Sequence, residues 1–193
     1  MNAKIGLFFG SFNPVHNGHL MIANYMANHT PLSEVWMVIS PHNPLKSKSN
    51  LINMYDRLEM VQLALEKAEN IRANTIEFQL PQPSYTIDTL THLKERYPNK
   101  DFVLIMGSDN LHTLEKWKNY EQLLSDYEIM VYPRPTYGGH PLEHHPSVHM
   151  TPTPLVELSS TFVRTAIKNK LNIQYFVPDS VLKFIDVKGL YLT

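Results

Sequence analysis

Residues 10–19 combine the residue types that bind and polarise phosphate groups. His16 and His19 stand three positions apart, so both face the same side of a helix that begins there. Gly10 precedes them and lets the backbone turn tightly and approach a ligand. Free N–H groups at a helix start attract anions, and imidazoles beside them can stabilise charge that develops on a phosphate. The segment therefore favours an anion site over a surface turn with two capping histidines.

A second polar segment, residues 159–164, has a similar chemical character. Ser159, Ser160 and Thr161 precede an apolar helical pattern, where hydroxyls and free N–H groups converge. Arg164 lies one turn further on, and its guanidinium can bind two phosphate oxygens at once. Alone, this pattern is more typical of an ordinary helix cap with a surface arginine. Residues 10–19 shift the interpretation toward a second part of one phosphate site.

Apolar runs alternate with helical patterns along the chain and would position both segments. Strands are predicted over 5–9, 35–39, 71–80, 102–106 and 128–132, with a short one at 148–151. Helices are predicted over 18–28, 54–68, 85–97 and 159–168, over 178–188 with Pro178 as first residue, and as a broken stretch over 111–124. Such alternation predicts an α/β fold, a Rossmann-like parallel sheet with helices on both faces. We expect one domain over 1–193, with a small C-terminal helical part from about 159.

Ligands of parallel sheets bind beyond the carboxyl ends of the strands. Three polar or glycine-rich segments follow predicted strands, at 10–19, 40–46 and 107–109, and we expect them to line one pocket. The residues themselves leave alternatives open. Lys46 is also typical of a solvated charge, and Asp109 of a turn or helix cap as well as a ribose or metal contact.

These segments carry a resemblance to a known family. The pattern Gly10-x-Phe12-x-Pro14-x-His16-x-Gly18-His19 resembles the HxGH signature of the nucleotidylyltransferase superfamily. Residues 158–164 resemble its ISSTxxR signature, with Leu158 in place of the usual Ile. Within the superfamily the chain is most similar to bacterial nicotinate-nucleotide adenylyltransferases, through the segments 41–46, 56–60, 83–90, 107–109 and 133–135 and through Trp117.

The resemblance implies a single nucleotidylyltransferase domain and a role for each matching residue. The implied catalytic residues are His16, His19, Lys46 and Arg164. The implied ATP-binding residues are Gly10, Ser11, Phe12, Gly18, Gly107, Asp109, Ser159, Ser160 and Thr161. The implied nicotinate-nucleotide-binding residues are Asn43, Tyr85, Thr86, Trp117, Lys118 and Arg134. No metal-ligating residue is assigned, because Mg²⁺ would be held mainly by the ATP phosphates.

The activity that the resemblance implies is adenylyl transfer from ATP to nicotinate mononucleotide, giving deamido-NAD and pyrophosphate. Its acceptor would attack ATP directly, without a covalent enzyme intermediate. Two alternatives stay open. One is nicotinamide mononucleotide or another phosphorylated acceptor, and the other is a nucleotide-binding module without turnover. Trp117 on its own is more typical of a core residue than of a ring-stacking platform.

Composition limits the remaining function classes. Seventeen Lys and Arg against 18 Asp and Glu give a formal net charge of −1, which disfavours nucleic-acid and acidic-membrane binding. Cysteine is absent, which excludes disulfides and thiol catalysis. Neither GxxxxGK[ST] nor GxGxxG occurs, so P-loop and dinucleotide-dehydrogenase sites lose support. We expect a cytoplasmic protein, with homo-oligomerisation left open.

A histidine-rich segment, residues 140–144, matches the H-x-x-E-H pattern of some zinc proteases. That pattern needs a helix to bring both histidines to one metal. Two glycines precede the segment, and Pro141 interrupts it. The sequence therefore favours a mobile, solvated loop over a zinc site.

Overall fold

The computed structural model describes residues 2–42 and 51–192 of the chain. Within them, parallel strands form one sheet in the order β3-β2-β1-β4-β5-β6. The strands are β1 (Ala3–Gly10), β2 (Glu34–Ile39), β3 (Ile71–Asn74), β4 (Lys100–Gly107), β5 (Glu128–Tyr132) and β6 (Val148–Met150). The α-helices are α1 (Asn17–His29), α2 (Met54–Ala64), α3 (Thr86–Arg96), α4 (Ser108–Leu111), α5 (Tyr120–Asp126), α6 (Ser160–Lys168) and α7 (Asp179–Lys188).

The order of the strands places a ligand crevice at the middle of the sheet. The chain builds outward from β1 through β2 to β3 and then crosses to β4 on the other side of β1. At such a switch in strand order the loops diverge beyond the carboxyl ends of the strands. Because Phe8 pairs with Ile105, the chain leaves β1 at Gly10 and β4 at Gly107 at the same height along the sheet.

Each face of the sheet is covered by helices, as the strand–helix alternation predicts. Along β1 the side chain of Phe8 packs with α1, α2, α6 and α7, whereas Ile5 and Leu7 pack on the opposite face with α3 and α5. This alternation follows from the two-residue repeat of a strand. Since both faces are buried, the central strands read as continuous apolar runs, and the predicted α/β fold is confirmed.

The prediction of a strand over 71–80 is wrong beyond Asn74. The side chain of Asn74 accepts a hydrogen bond from the backbone N–H of Ile76, 2.9 Å away, which turns the chain out of the ladder. A 3₁₀ helix, Ile76–Gln79, follows. Its first two residues, Ile76 and Glu77, are both buried, a pattern that strand alternation does not produce.

Helix ends also refine the sequence predictions. Helix α2 begins after Asn53, whose side chain accepts from the N–H of Tyr55, but it ends at Ala64 rather than near residue 68. Pro178 precedes α7 as its N-cap instead of opening it, and Gly189 ends α7 in the left-handed conformation. The broken stretch at 111–124 consists of a 3₁₀ turn, Leu114–Lys116, between α4 and α5.

Of the helices within residues 2–42 and 51–192, none has the length and apolar character to cross a bilayer.

Candidate active site

The loop after β1, residues 10–19, folds over its own aromatic ring. Phe12 adopts a left-handed backbone conformation with φ of 46°, and its ring lies against Phe8 and His19. A Cβ atom on Gly10 would stand 2.7 Å from that ring, so glycine is required for this close approach. We call residues 10–19 the motif loop.

His16 and His19 cap the helix that follows the motif loop. The Nδ1 atom of His16 accepts from the backbone N–H of His19 at 3.3 Å, and Nδ1 of His19 accepts from the N–H of His16 at 3.2 Å. The two rings stack with centroids 3.6 Å apart. Because both Nδ1 atoms accept, the neutral imidazoles carry their proton on Nε2.

Electrostatics keep His16 neutral. Burial lowers the pKa of His16 from 6.5 to about 3, and the positive charge of Arg134 adds to the shift. His16 is therefore a neutral hydrogen-bond donor at physiological pH. The start of α1 thus presents an imidazole N–H in addition to its backbone N–H groups, and both kinds of donor suit a phosphate oxygen.

Helix α6 binds directly to the motif loop at its N-terminus. The hydroxyl of Ser160 donates to the carbonyl of Pro14 at 2.9 Å, and the guanidinium of Arg164 donates to the carbonyl of Asn13 at 2.8 Å. Arg164 also donates to the hydroxyl of Thr161 at 3.2 Å. Ser159, predicted as the first residue of the helix, is instead the N-cap of α6 and accepts from a backbone N–H one turn on. The structure therefore brings the two predicted segments together; His16, His19, Ser160 and Arg164 form what we call the phosphate-side cluster.

Arg57 is a site residue to which sequence reasoning gave no role. Its side chain is fully buried, and its guanidinium donates to the carbonyls of Ser11 at 2.6 Å, Ser40 at 2.7 Å, Pro41 at 3.0 Å and Ile52 at 3.3 Å. It thereby joins the loop after β1 to the loop after β2. Burial lowers the pKa of Arg57 to about 10, so the buried group still carries its charge at neutral pH. A charged residue in a helical pattern ordinarily indicates a solvated face, and only the structure shows this clamp.

Asp109 and Arg134 lie together on the side of β4. Asp109 follows Gly107 at the start of the short helix α4, and a Cβ on Gly107 would collide with the Asp109 carboxylate. The Arg134 guanidinium lies 3.9 Å from that carboxylate and donates to the carbonyl of Val156 at 3.3 Å. Its charge acts on His16, so Arg134 sits near the phosphate-side cluster.

A cavity of about 300 Å³ opens on the other side of the motif loop. We call it the acceptor pocket, because the sequence resemblance predicts that the acceptor nucleotide binds to residues of its wall. It is lined by Phe9, Gly10, Ser11, Ser40, His42, Glu77, Ser84, Tyr85, Thr86, Asn110, Lys116, Trp117 and Lys118. Four of the six residues predicted to bind a nicotinate nucleotide therefore share it. Arg134 does not line it, and Asn43 and the catalytic candidate Lys46 lie outside the described residues.

Short local elements shape the acceptor pocket. Helix α3 begins at Thr86 without a side-chain cap, so backbone N–H groups at its start keep their hydrogen-bonding capacity. The 3₁₀ turn Leu114–Lys116 ends at Trp117, whose own backbone is extended. Lys118 forms an ion pair with Asp88 at 2.8 Å and lies 5.0 Å from the ring centre of Tyr85. An aromatic ring, a helix start and a cation thus surround one space, which suits a flat anionic ring.

The histidine-rich segment takes no part in either region. Pro141–His144 form a 3₁₀ turn, in which the His140 ring accepts from the N–H of Leu142 as a helix cap. The H-x-x-E-H pattern therefore lies on no α-helix. No cluster of three or more His, Asp or Glu side chains within residues 2–42 and 51–192 could hold a metal ion.

Comparisons with known proteins identify relatives that span most of this chain. The model of the "Cytidylyltransferase-like" family matches residues 7–166. A protein of Flavobacterium johnsoniae named "Probable nicotinate-nucleotide adenylyltransferase" is 53% identical over 192 residues, covering 97% of this chain and 98% of the relative. A protein of the same name from Bacteroides fragilis is 44% identical, covering 94% of this chain and 90% of the relative.

A solved structure shares the whole architecture. Plasmodium falciparum nicotinic acid mononucleotide adenylyltransferase, solved as a complex with NaAD, superposes with a TM-score of 0.82 at 20% identity. The match covers 98% of this chain and 97% of that one. At this identity the likeness shows the shared fold.

Proposed function

The chain belongs to the nicotinate-nucleotide adenylyltransferase family, and we propose that it transfers the adenylyl group of ATP to nicotinate mononucleotide, forming deamido-NAD and pyrophosphate. The observation that carries the proposal is the junction of the motif loop with α6. It gathers the N-terminus of a helix, neutral imidazole donors and an arginine around one space. This arrangement suits the charge of a triphosphate in transfer.

In the proposed reaction, a phosphate oxygen of nicotinate mononucleotide attacks the α-phosphorus of ATP in line. A new phosphorus–oxygen bond forms there while the bond to the bridging oxygen toward the β-phosphorus breaks, and pyrophosphate leaves. The substrate supplies the nucleophile, so the protein contributes positioning and charge stabilisation. The Nε2–H groups of His16 and His19 would donate to α- and β-phosphate oxygens, and Ser160, Arg164 and Lys46 would bind the phosphates.

We place ATP in the crevice between the ends of β1 and β4. The residues that would surround it are Gly10, Ser11, Phe12, Gly18, Gly107, Asp109, Ser159, Ser160 and Thr161. Arg134, which the resemblance assigns to the acceptor nucleotide, lies beside Asp109 and outside the acceptor pocket. We therefore propose that it contacts the phosphates rather than the acceptor ring.

The acceptor ring would occupy the acceptor pocket. Trp117 supplies a flat apolar face, and the backbone N–H groups of Thr86 and Lys118 would donate to the ring carboxylate. Tyr85 borders the same space, and Asn43 would complete it. A carboxylate accepts from both N–H groups with its two oxygens. A carboxamide in the same place has only one oxygen, so its NH₂ group would face one of the two backbone N–H groups. This difference favours the acid over the amide.

Mg²⁺ enters the proposal as part of the substrate MgATP. The described residues offer no group of three acidic or histidine ligands, so the ATP phosphates would hold most of the ion. The ion would neutralise phosphate charge, and the protein groups would orient the phosphates. Because ATP and the acceptor nucleotide are both metabolites of the cell interior, we propose a cytoplasmic location.

Pyrophosphate release from ATP and Mg²⁺ tests the proposal, with nicotinate mononucleotide compared against nicotinamide mononucleotide. The dinucleotide product is identified by mass. We expect a kcat/KM at least tenfold higher for the acid, as one mismatched buried hydrogen bond predicts. Equal use of both acceptors contradicts the acid specificity, and release with neither contradicts the function.

A further inference from the structure

Glu77 is a buried acid in the wall of the acceptor pocket. Glu77 is only 2% exposed and lies in the 3₁₀ turn that follows β3. Within residues 2–42 and 51–192 it forms no ion pair with a basic side chain. Acids are rarely buried without a counter-charge, and those that line a cavity are candidates for a role in it.

Hydroxyl groups from three chain segments surround the Glu77 carboxyl. The hydroxyl of Thr89, in the first turns of α3, lies 3.0 Å from Oε1. Burial raises the pKa of the Glu77 carboxyl most strongly, and the nearby hydroxyls of Ser40, Thr89 and Ser84 lower it in part. Oε2 of Glu77 and the hydroxyl of Ser84 are both buried without a hydrogen-bond partner among the described residues. The hydrogen bond from Thr89 therefore links the turn after β3 to α3.

Thr89 passes this link to the backbone of the proposed carboxylate site. Its hydroxyl lies 3.2 Å from the carbonyl oxygen of Tyr85, and its backbone N–H donates to the same oxygen at 3.1 Å. The Tyr85 carbonyl and the Thr86 N–H belong to one planar peptide unit and point in opposite directions. Whatever holds the Tyr85 carbonyl therefore aims the Thr86 N–H.

We infer that Glu77, acting through Thr89, is a positioning residue that aims the Thr86 N–H at the acceptor's ring carboxylate. This inference rests on the proposed function, because it takes nicotinate mononucleotide as the ligand of the pocket. Thr89 has a single hydroxyl proton to share between Glu77 and Tyr85. The carboxyl holds the Thr89 side chain in the rotamer that reaches both, and a Gln at position 77 would do the same.

The test is the dissociation constant of nicotinate mononucleotide, followed by tryptophan fluorescence and needing no turnover. Four variants separate the proposed chain of contacts from size and charge. Glu77→Leu and Thr89→Val remove the polar groups at similar volume, while Glu77→Gln and Thr89→Ser retain them. Glu128→Gln is the control, because Glu128 pairs with Lys4 at the opposite end of the sheet.

We expect Glu77→Leu and Thr89→Val each to weaken acceptor binding about tenfold, as loss of an aligned hydrogen bond to a charged group does. The variant that combines Glu77→Leu with Thr89→Val should bind the acceptor as tightly as either single variant, because both residues act through the same peptide unit. Glu77→Gln, Thr89→Ser and Glu128→Gln should bind within twofold of the wild type, and the KM for ATP should stay unchanged in all.

Unchanged acceptor binding in both apolar variants overturns the inference. A KM for ATP that rises as much as the dissociation constant of the acceptor overturns it too. Thr89→Val keeps the test valid even where Glu77→Leu does not fold. If the wild type binds the acceptor, Glu77→Leu weakens that binding, and the wild type still releases no pyrophosphate, the proposed function is refuted and this inference is supported. A wild type that does not bind nicotinate mononucleotide refutes both.

Discussion

The phosphate-side cluster and the acceptor pocket flank the same loop but are built by different means. The cluster joins residues that stand far apart in sequence, with Arg164 bonded to the carbonyl of Asn13 across 151 positions. Its groups are helix starts, imidazoles and guanidinium, all of which donate. The acceptor pocket is assembled from short turns and relies on an aromatic face, hydroxyls and a buried acid.

The difference fits the ligand that we propose for each region. A polyphosphate carries dense negative charge that many donors can share, so helix dipoles and cations suffice. A substituted ring carries little charge and must be told from close analogues by a few aimed groups. We therefore expect damage to the cluster to lower kcat and damage to the pocket to raise the acceptor KM.

The largest effect is expected from substitutions that remove the imidazole donors and keep the helix cap. His16→Asn preserves an N-cap acceptor, and His19→Gln preserves the reciprocal bond of the capping box. Because the Nε2–H groups are lost, kcat for pyrophosphate release should fall about 10²–10³-fold for His19→Gln, in line with loss of one charge-stabilising donor.

Circular dichroism and thermal unfolding serve as the control for these two variants, whose melting temperatures should stay close to that of the wild type. A folded His19→Gln protein with near-normal kcat removes His19 from the chemistry. A fall in kcat that appears only together with unfolding assigns the histidines to the fold alone.

The next largest effect is expected where the two regions are joined. Arg57→Lys keeps the charge but cannot donate to carbonyls on both loops, so the free energy of unfolding should fall by about 2–4 kcal/mol. The KM values for ATP and for the acceptor should both rise, because Ser11 and Ser40 lose a common donor. Urea unfolding and steady-state kinetics check this, and an effect on one KM only contradicts the clamp.

A smaller effect concerns pH and stability. The pKa of His16 is about 3 in the folded protein and 6.5 in its ordinary state, so between these values unfolding takes up a proton. Stability should therefore fall as pH decreases from 6.5 toward 3, by up to about 1.4 kcal/mol per pH unit from this group. Urea unfolding at several pH values should show a shallower dependence in His16→Asn. Identical slopes in both proteins contradict the lowered pKa.

The smallest effect is expected from the ring face of the acceptor pocket. Trp117→Ala should raise the acceptor KM roughly three- to tenfold, as the loss of an aromatic contact predicts. Trp117→Phe keeps a flat ring and should recover most of the affinity. The KM for ATP and kcat should not change, and a matching fall in kcat would place Trp117 nearer the reacting phosphates.

Sequence patterns could predict the sheet and the cluster because each depends on local periodicity or on helix starts. The strand at Glu128–Tyr132 spans the residues predicted for it, and α2 and α6 begin at Met54 and Ser160, within one residue of their predicted starts. The carboxyl-end rule predicted that residues 10–19, 40–46 and 107–109 line one pocket. Gly10, Ser11 and Ser40 do so, whereas Gly107 and Asp109 lie outside it, although β1 and β4 end at the same height.

The acceptor pocket could be predicted only in part, since its key residues belong to irregular elements. Glu77 lies in a segment whose Ile76 and Phe78 mimic strand alternation, and a side-chain turn at Asn74 decides the outcome. Arg57 has no sequence signal of burial, because its carbonyl partners come from three separate segments. Neither helical nor strand periodicity carries information about such contacts.

The kinetics of a double variant test the separation of the two regions most directly. His19→Gln, Trp117→Ala and their combination are compared in pyrophosphate release at varied acceptor concentration. The double variant should show the kcat loss of the first and the KM rise of the second, with the combined loss in kcat/KM equal to their product within about twofold. A double variant no worse than His19→Gln alone would contradict the separation, because it would mean that both residues act on one step.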